Sequence, residues 1–254
     1  RRQRQMCIRD RIVIDVEFDS QGEWIPESIE LDVQYEDDHV IIVNKPAGLV
    51  VHPGHGNFSG TLLNALIAKY PELISIPRAG IVHRLDKQTS GLLAVARSLK
   101  AQKSLVNQLR DRLMTRQYCA LVFGNPKLEG TIDAPIDRHR VLRTKMAVVA
   151  DGKPSITHYR VLESTAHCSW LQVSLETGRT HQIRVHLTHI GHPLVGDPVY
   201  RKGRCDTSNT ETVAKRALEN FPRQALHAET LGLIHPGTGD FFQCKVSMPN
   251  DLVE

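Results

Sequence analysis

The chain predicts an α+β domain around a mostly antiparallel sheet with few helices. Three observations carry that expectation. Short apolar or alternating runs recur from one end of the 254 residues to the other, which is the period of strands. Only three segments combine a helical period with an end signal. Strands and helices also do not alternate in the way a parallel βαβ sheet requires.

In chain order, Ile12 to Phe18 alternates apolar and acidic residues, as a half-exposed strand does. Residues 19–30 read as a polar linker, Leu31 to Tyr35 opens the main domain, and Val40 to Val43 is a short apolar strand that stops at Lys45-Pro46. The glycine-rich stretch 54–60 lacks the Lys-Ser/Thr ending of a phosphate loop and reads as a turn into a helix over 61–70. Ala79 to Val82 and Leu92 to Ala96 read as buried strands on either side of a polar loop. Ser98 is a natural N-cap for a helix over 99–113, with Leu99, Leu105, Val106, Leu109 and Leu113 as its buried stripe. Lys100, Lys103, Arg110 and Arg112 form its opposite face. Strands are expected at 116–123, 155–162 and 169–175. Thr180 would cap a helix over 181–190, closed by Gly191, with Arg184 projecting from its rim. A short helix is expected near 210–221, and strands at 226–234 and 241–247 close the domain.

Composition narrows the class. The five cysteines are scattered and never form a CxxC pair, which argues against a disulfide framework or thiolate zinc site and fits a reduced cytoplasmic setting. No apolar run reaches the roughly 18–20 residues of a membrane-spanning helix. The net charge of +4 is unevenly spread: +4 in residues 1–11, −10 in 12–44 and +10 in 45–254. A basic body behind an acidic leader fits a nucleic-acid partner.

The densest chemistry lies in His83-Arg84-Leu85-Asp86-Lys87-Gln88-Thr89-Ser90-Gly91, where one carboxylate sits among cations in a loop between apolar elements. Nearby positive charge favours an ionised carboxylate, which can act as nucleophile or base. Taken alone, Asp86 reads first as a structural ion-pair partner of Arg84 or Lys87. Its company is more specific. The nonamer closely resembles the signature of the RluA-type pseudouridine synthases. So do the segments 44–53, beginning Asn44-Lys45-Pro46, and 116–122, with Arg116-Gln117-Tyr118. Glu176 to His186, Gly191 to Tyr200 and Ala225-Leu226-His227-Ala228 complete the set, in the family's order, across about 31–248.

The resemblance implies the pseudouridine synthase fold, a mixed central sheet with a catalytic cleft, for residues 31–254. Residues 12–30 would be the last strand of an S4-type RNA-binding domain plus linker. Residues 1–11 resemble a translated sequencing adaptor and are expected to be non-native. Asp86 would be the catalytic carboxylate, Arg184 its cationic partner, and Tyr118 the ring that stacks on the target base and handles protons. Arg84 would fill the space left by an extruded base, and Leu226 would line the pocket; plain core packing is an equal reading for Leu226. No cofactor is implied, because the reaction is an isomerisation. The implied partner is RNA. Two segments, 77–83 and 223–228, look most like the subtype acting on the helix 69 hairpin of large-subunit rRNA, free or in a pre-ribosomal particle. Other rRNA sites and tRNA are served by sister subtypes. A non-catalytic RNA-binding or ribosome-assembly factor and a metal-dependent hydrolase are the rival classes. His181, His186, His189 and His192 crowd one helix and its end, and His186 and His189 could supply two zinc ligands, but there is no HExxH pattern and no Cys lies close in sequence. A monomer is the default.

Overall fold

The computed structural model describes residues 24–54, 56–201, 217–218 and 220–253. The expectations for residues 1–11 and the strand over 12–18 lie outside these. So does most of the helix near 210–221, of which Ala217, Leu218 and Asn220 are helical.

The strands in chain order are β1 (Val33–Glu36), β2 (Val40–Lys45), β3 (Ser90–Ala96), β4 (Thr115–Phe123), β5 (Glu129–Asp133), β6 (Ile136–Arg138), β7 (Met146–Val148), β8 (Ile156–Ser164), β9 (Cys168–Leu175), β10 (Leu226–Ile234) and β11 (Phe241–Lys245). The helices are α1 (Leu62–Lys69), α2 (Leu99–Arg110) and α3 (Gln182–His189). Among the described residues, nine strands form one sheet in the order β1-β2-β3-β10-β4-β9-β8-β5, with β11 also on β10. Every pairing is antiparallel except β3 with β10, so the sheet is mixed.

That one parallel contact is short. Only His227–Ser90 and Ala228–Gly91 pair, after which β3 departs and β11 takes its place along β10. The fork needs a glycine. Gly91 has φ +113°, and a Cβ there would lie 2.2 Å from the Ala228 carbonyl oxygen. Beyond the fork the Ala94 N–H is bonded by His83 Nε2 at 3.0 Å instead of by a strand. Burial, with the Arg116 charge adding to it, pushes the His83 ring down to about 3 and keeps that acceptor unprotonated.

Two cores cover the two faces. Ile41, Val43, Leu93 and Val95 pack under α1 through Leu62, Leu63, Leu66 and Ile67, and the same cluster continues to Ile183 and Leu187 of α3. On the other face, Val40, Ile42, Leu92 and Ala94 meet Ala101 and Leu105 of α2. Helices α1 and α3 thus share one face, and a cleft opens between them. The linker is tied down: Asn64 Nδ2 donates to the Ile25 carbonyl at 2.8 Å.

Several sequence expectations need correction. Residues 79–82 are not a strand: Pro77–Gly80 forms a 3-10 turn with left-handed Arg78 and Ala79, and only Ile81 bridges to Val95. Ser98 does cap α2, but the helix stops at Arg110, and Leu99, Val106 and Leu113 are exposed. The helix seats itself on Ala101, Leu105 and Gln108, whose amide exchanges hydrogen bonds with Ile234. A polar residue at that i+7 position hid the stripe. Strands β5, β6 and β7 had no clear sequence signal, being short, with β5 and β6 partly exposed and β7 half-buried throughout.

Gly91→Ala should lower stability by roughly 3 kcal/mol or more, because it adds backbone strain to a collision with β10. Urea unfolding of parent and variant checks this; an unchanged midpoint would mean the fork tolerates a side chain.

Candidate active site

The loop between His83 and Gly91 carries Asp86, and its backbone is fixed from several sides. Thr89 N–H closes a turn on the Asp86 carbonyl at 3.0 Å. Lys45, fully buried at the end of β2, donates from Nζ to the carbonyls of Pro46 (2.7 Å), Leu49 (2.9 Å) and Lys87 (3.2 Å). Burial pulls the Lys45 ammonium down to about 7, with the Asp86 charge opposing. Three carbonyls match three ammonium protons, so the cradle fits the charged form. On the other side, Arg223 Nη1 donates to the Gln88 carbonyl at 3.2 Å while Nε and Nη2 grip Asp251. Gln224 Nε2 donates to Thr89 Oγ1 at 3.0 Å.

Arg184 enters from α3. Its side chain is 5% exposed, so it does not project from the helix rim. Nη1 donates to Asp86 Oδ2 at 2.9 Å. The bidentate grip falls on another carboxylate: Nε and Nη2 donate to Asp197 Oδ2 and Oδ1 at 2.8 and 3.0 Å. Asp197 also accepts the Val199 and Tyr200 N–H groups. Burial raises the Asp197 carboxyl, but the Arg184 bonds and charge outweigh it, and its pKa falls below the usual carboxylate value. His181 completes the set, with Nδ1 at 2.8 Å from the Tyr200 hydroxyl and Nε2 at 3.8 Å from Asp86 Oδ1. Burial lowers the His181 pKa, the Asp86 charge opposing, which favours a neutral ring.

Helix α3 begins differently from expectation. His181, in the left-handed region, occupies the cap position without a side-chain cap bond. Gln182 Oε1 takes over, accepting the Arg179 N–H and the Thr177 hydroxyl. At the other end Gly191 and His192 donate back to Thr188 and Leu187, a Schellman closure.

Tyr118, Arg84 and Leu226 line the same 680 Å³ cleft as Asp86 and Arg184. All five site residues expected from the sequence therefore converge. Tyr118 comes from β4 and is buried; burial raises its hydroxyl pKa, Arg116 opposing. Leu226, also buried, lies on β10 beside β4, and Arg84 is exposed at the mouth. Leu226 also belongs to the main core, so its two readings coexist. The histidines do not converge. His186 is buried with both ring nitrogens engaged, by Thr157 and Ala134, while His189 is exposed. Among the described residues, no three His, Cys, Asp or Glu side chains are grouped to hold a metal ion.

Sequence reasoning assigned no role to Asp197, Lys45, Arg223 or Arg116. Asp197 sits in a quoted motif, Gly196-Asp197-Pro198, yet nothing local tells that its partner is 13 residues away on a helix.

The family model described as RNA pseudouridylate synthase matches residues 39–189. The chain is 52% identical over 244 residues to ribosomal large subunit pseudouridine synthase D of Pseudomonas aeruginosa, covering 96% of this chain and 76% of that protein. With the protein of the same name from Escherichia coli strain K12 it shares 48% identity over 245 residues, 96% of this chain and 75% of that one. Among solved structures, human RNA pseudouridylate synthase domain containing 1 superposes with TM-score 0.66 at 28% identity, over 87% of this chain and 84% of that one.

Asp197→Asn removes the charge that the Arg184 fork grips while keeping the shape. Turnover should fall about 10²-fold, as when a preorganised polar partner is removed. Since the folded pKa of Asp197 is depressed, its stabilisation is present above about pH 4 and lost as pH falls through the folded value. The variant should therefore lose less stability than the parent between neutral and strongly acidic pH. Denaturation midpoints across that range check the sign.

Proposed function

Because the chain belongs to the RNA pseudouridylate synthase family, we propose that it converts uridines of large-subunit ribosomal RNA to pseudouridine, the helix 69 hairpin first among them, with Asp86 as the essential carboxylate. The class of reaction is an isomerisation of RNA: the N1–C1′ bond of uridine is replaced by a C5–C1′ bond and the C5 proton leaves. The choice of large-subunit RNA rests on the relatives named for that substrate. No helix among the described residues is long and apolar enough to cross a membrane. Ribosomal RNA would place the work in the cytoplasm, on free RNA or on a pre-ribosomal particle.

The observation that carries the Asp86 assignment is its hydrogen bond to a buried arginine inside the cleft. Arg184 fixes one oxygen, leaving the other toward the cleft and His181. Tyr118 offers a flat ring against the base and a hydroxyl for proton handling at C5. A uridine stacked in a hairpin must be turned out to reach this depth. Arg84, exposed at the mouth, has the planar cation suited to fill the vacated stack.

Tritium release from large-subunit rRNA transcribed with 5-tritiated uridine tests the reading, with EDTA present. The parent chain should release tritium and Asp86→Asn should fall by at least about 10³-fold, as expected for a group that acts on the reacting atoms. Mapping the modified positions then tests the hairpin. Release from tRNA alone would move the substrate to another branch of the family. RNA binding without any release would favour an assembly factor.

A further inference from the structure

Arg116 precedes Tyr118 by two residues on β4, so both side chains leave the same face of the strand, and both line the cleft. It is 7% exposed. Its guanidinium is satisfied along one edge only, where Nη2 donates to the carbonyls of Leu175 (3.4 Å) and Glu176 (3.2 Å). Nη1 packs beneath Gly178, where a Cβ would come within 2.6 Å of it. Nε is buried with no hydrogen-bond partner among the described residues. The carboxylate of Glu176 is engaged elsewhere, by Arg112 at 2.5 Å and His158 at 2.7 Å.

The other buried cations near the site are supplied differently. Arg184 has two carboxylates, Arg223 has Asp251, and Lys45 has three carbonyls. A buried guanidinium without an anion is costly, and it stays charged because arginine does not give up its proton. Its position beside Tyr118 points to an anion that is present only during turnover. Resting on the pseudouridine synthase reading, we propose that Arg116 contacts the target uracil and holds the negative charge that develops on its carbonyl oxygens during the reaction.

On the route in which Asp86 captures C1′, the N1–C1′ pair stays with the base and spreads over N1, O2 and O4. That pair later forms the C5–C1′ bond, Asp86 leaves C1′ with its own pair, the C5 proton is lost and N1 gains one from water. On the route in which Asp86 adds to C6, the C5–C6 pair shifts onto O4. Both routes load the same carbonyl edge of the ring, and a preorganised cation there lowers the barrier. Gly178 then has a definite purpose, since any side chain would push the guanidinium out of place.

Single-turnover conversion of two large-subunit rRNA transcripts, one with uridine and one with 5-fluorouridine, tests the proposal by chromatographic separation and mass analysis of the nucleosides. The 5-fluoro product, with no C5 proton to lose, takes up water at C6. Fluorine withdraws electrons and already stabilises the pyrimidine anion. Arg116→Met should slow the uridine transcript about 100-fold but the 5-fluorouridine transcript less than about 10-fold, with RNA affinity unchanged within about 3-fold. Arg116→Lys should recover part of the loss. Gly178→Ala should reproduce the unequal slowing while keeping the arginine, and it reads the same difference if Arg116→Met does not fold. Equal slowing of both transcripts, a loss confined to affinity, or unaltered rates would each overturn the proposal while leaving the family chemistry intact. A parent chain that converts neither transcript would overturn the ribosomal substrate and this proposal together.

Discussion

Arg184 stands between two carboxylates, and most of the site is arranged around that fact. One guanidinium with Asp86 alone would be a buried pair whose desolvation cancels much of its attraction. Asp197 changes the balance by gripping the fork in two parallel bonds, while its own oxygens also take two backbone N–H groups. The arginine is thereby aimed, and the nitrogen left over is the one that meets Asp86. Tyr200 reinforces the aim, its ring lying 4.9 Å from the guanidinium carbon and its hydroxyl receiving the Met146 N–H. Removing Arg184 would leave two carboxylates without their shared cation, and removing Asp197 would release the fork from its aim.

The loop that presents Asp86 is held with comparable care. Lys45 and Arg223 clasp successive backbone carbonyls, of Lys87 and Gln88, from opposite sides. His83 fills the gap that opens where β3 and β10 part. Such bracing limits the reorganisation needed at the moment of reaction, which is where preorganised polar groups are most effective. Arg84, by contrast, is exposed and has room to move.

The sequence made much of this legible, and the gaps have physical causes. Strands β2, β3, β4, β8, β9, β10 and β11 were visible because their burial alternates or runs continuously. The cap at Ser98 was visible because capping is local. The 3-10 turn before His83 was not, since Ala79 and Gly80 are buried and apolar like a strand but held in left-handed conformations. Arg184 looked like a rim residue because an arginine beside Ile183 normally reaches for solvent, whereas Asp197, unseen at that level, draws it inward. Motif resemblance gathered Asp86, Tyr118, Arg84 and Leu226 into one cleft, but no motif states which residue braces another. Long-range pairing is what a single sequence hides best.

The position of β10 between β3 and β4 has a consequence for how the molecule comes into being. Until residues 226–234 are in place, β1-β2-β3 and β4-β9-β8-β5 are two half-sheets with no strand pairing between them among the described residues. Asp86 belongs to the first half and Arg184 to the second, so their ion pair spans the seam. On a nascent chain Asp86 is made before Arg184, and the strand that joins their two half-sheets after both. The contact between Ser90 and His227 closes a separation of 137 residues, the kind of non-local pairing that folds slowly. Activity should therefore arise in one step once β10 has been made, and a chain stopped short of β10 would carry both halves of the site without a site.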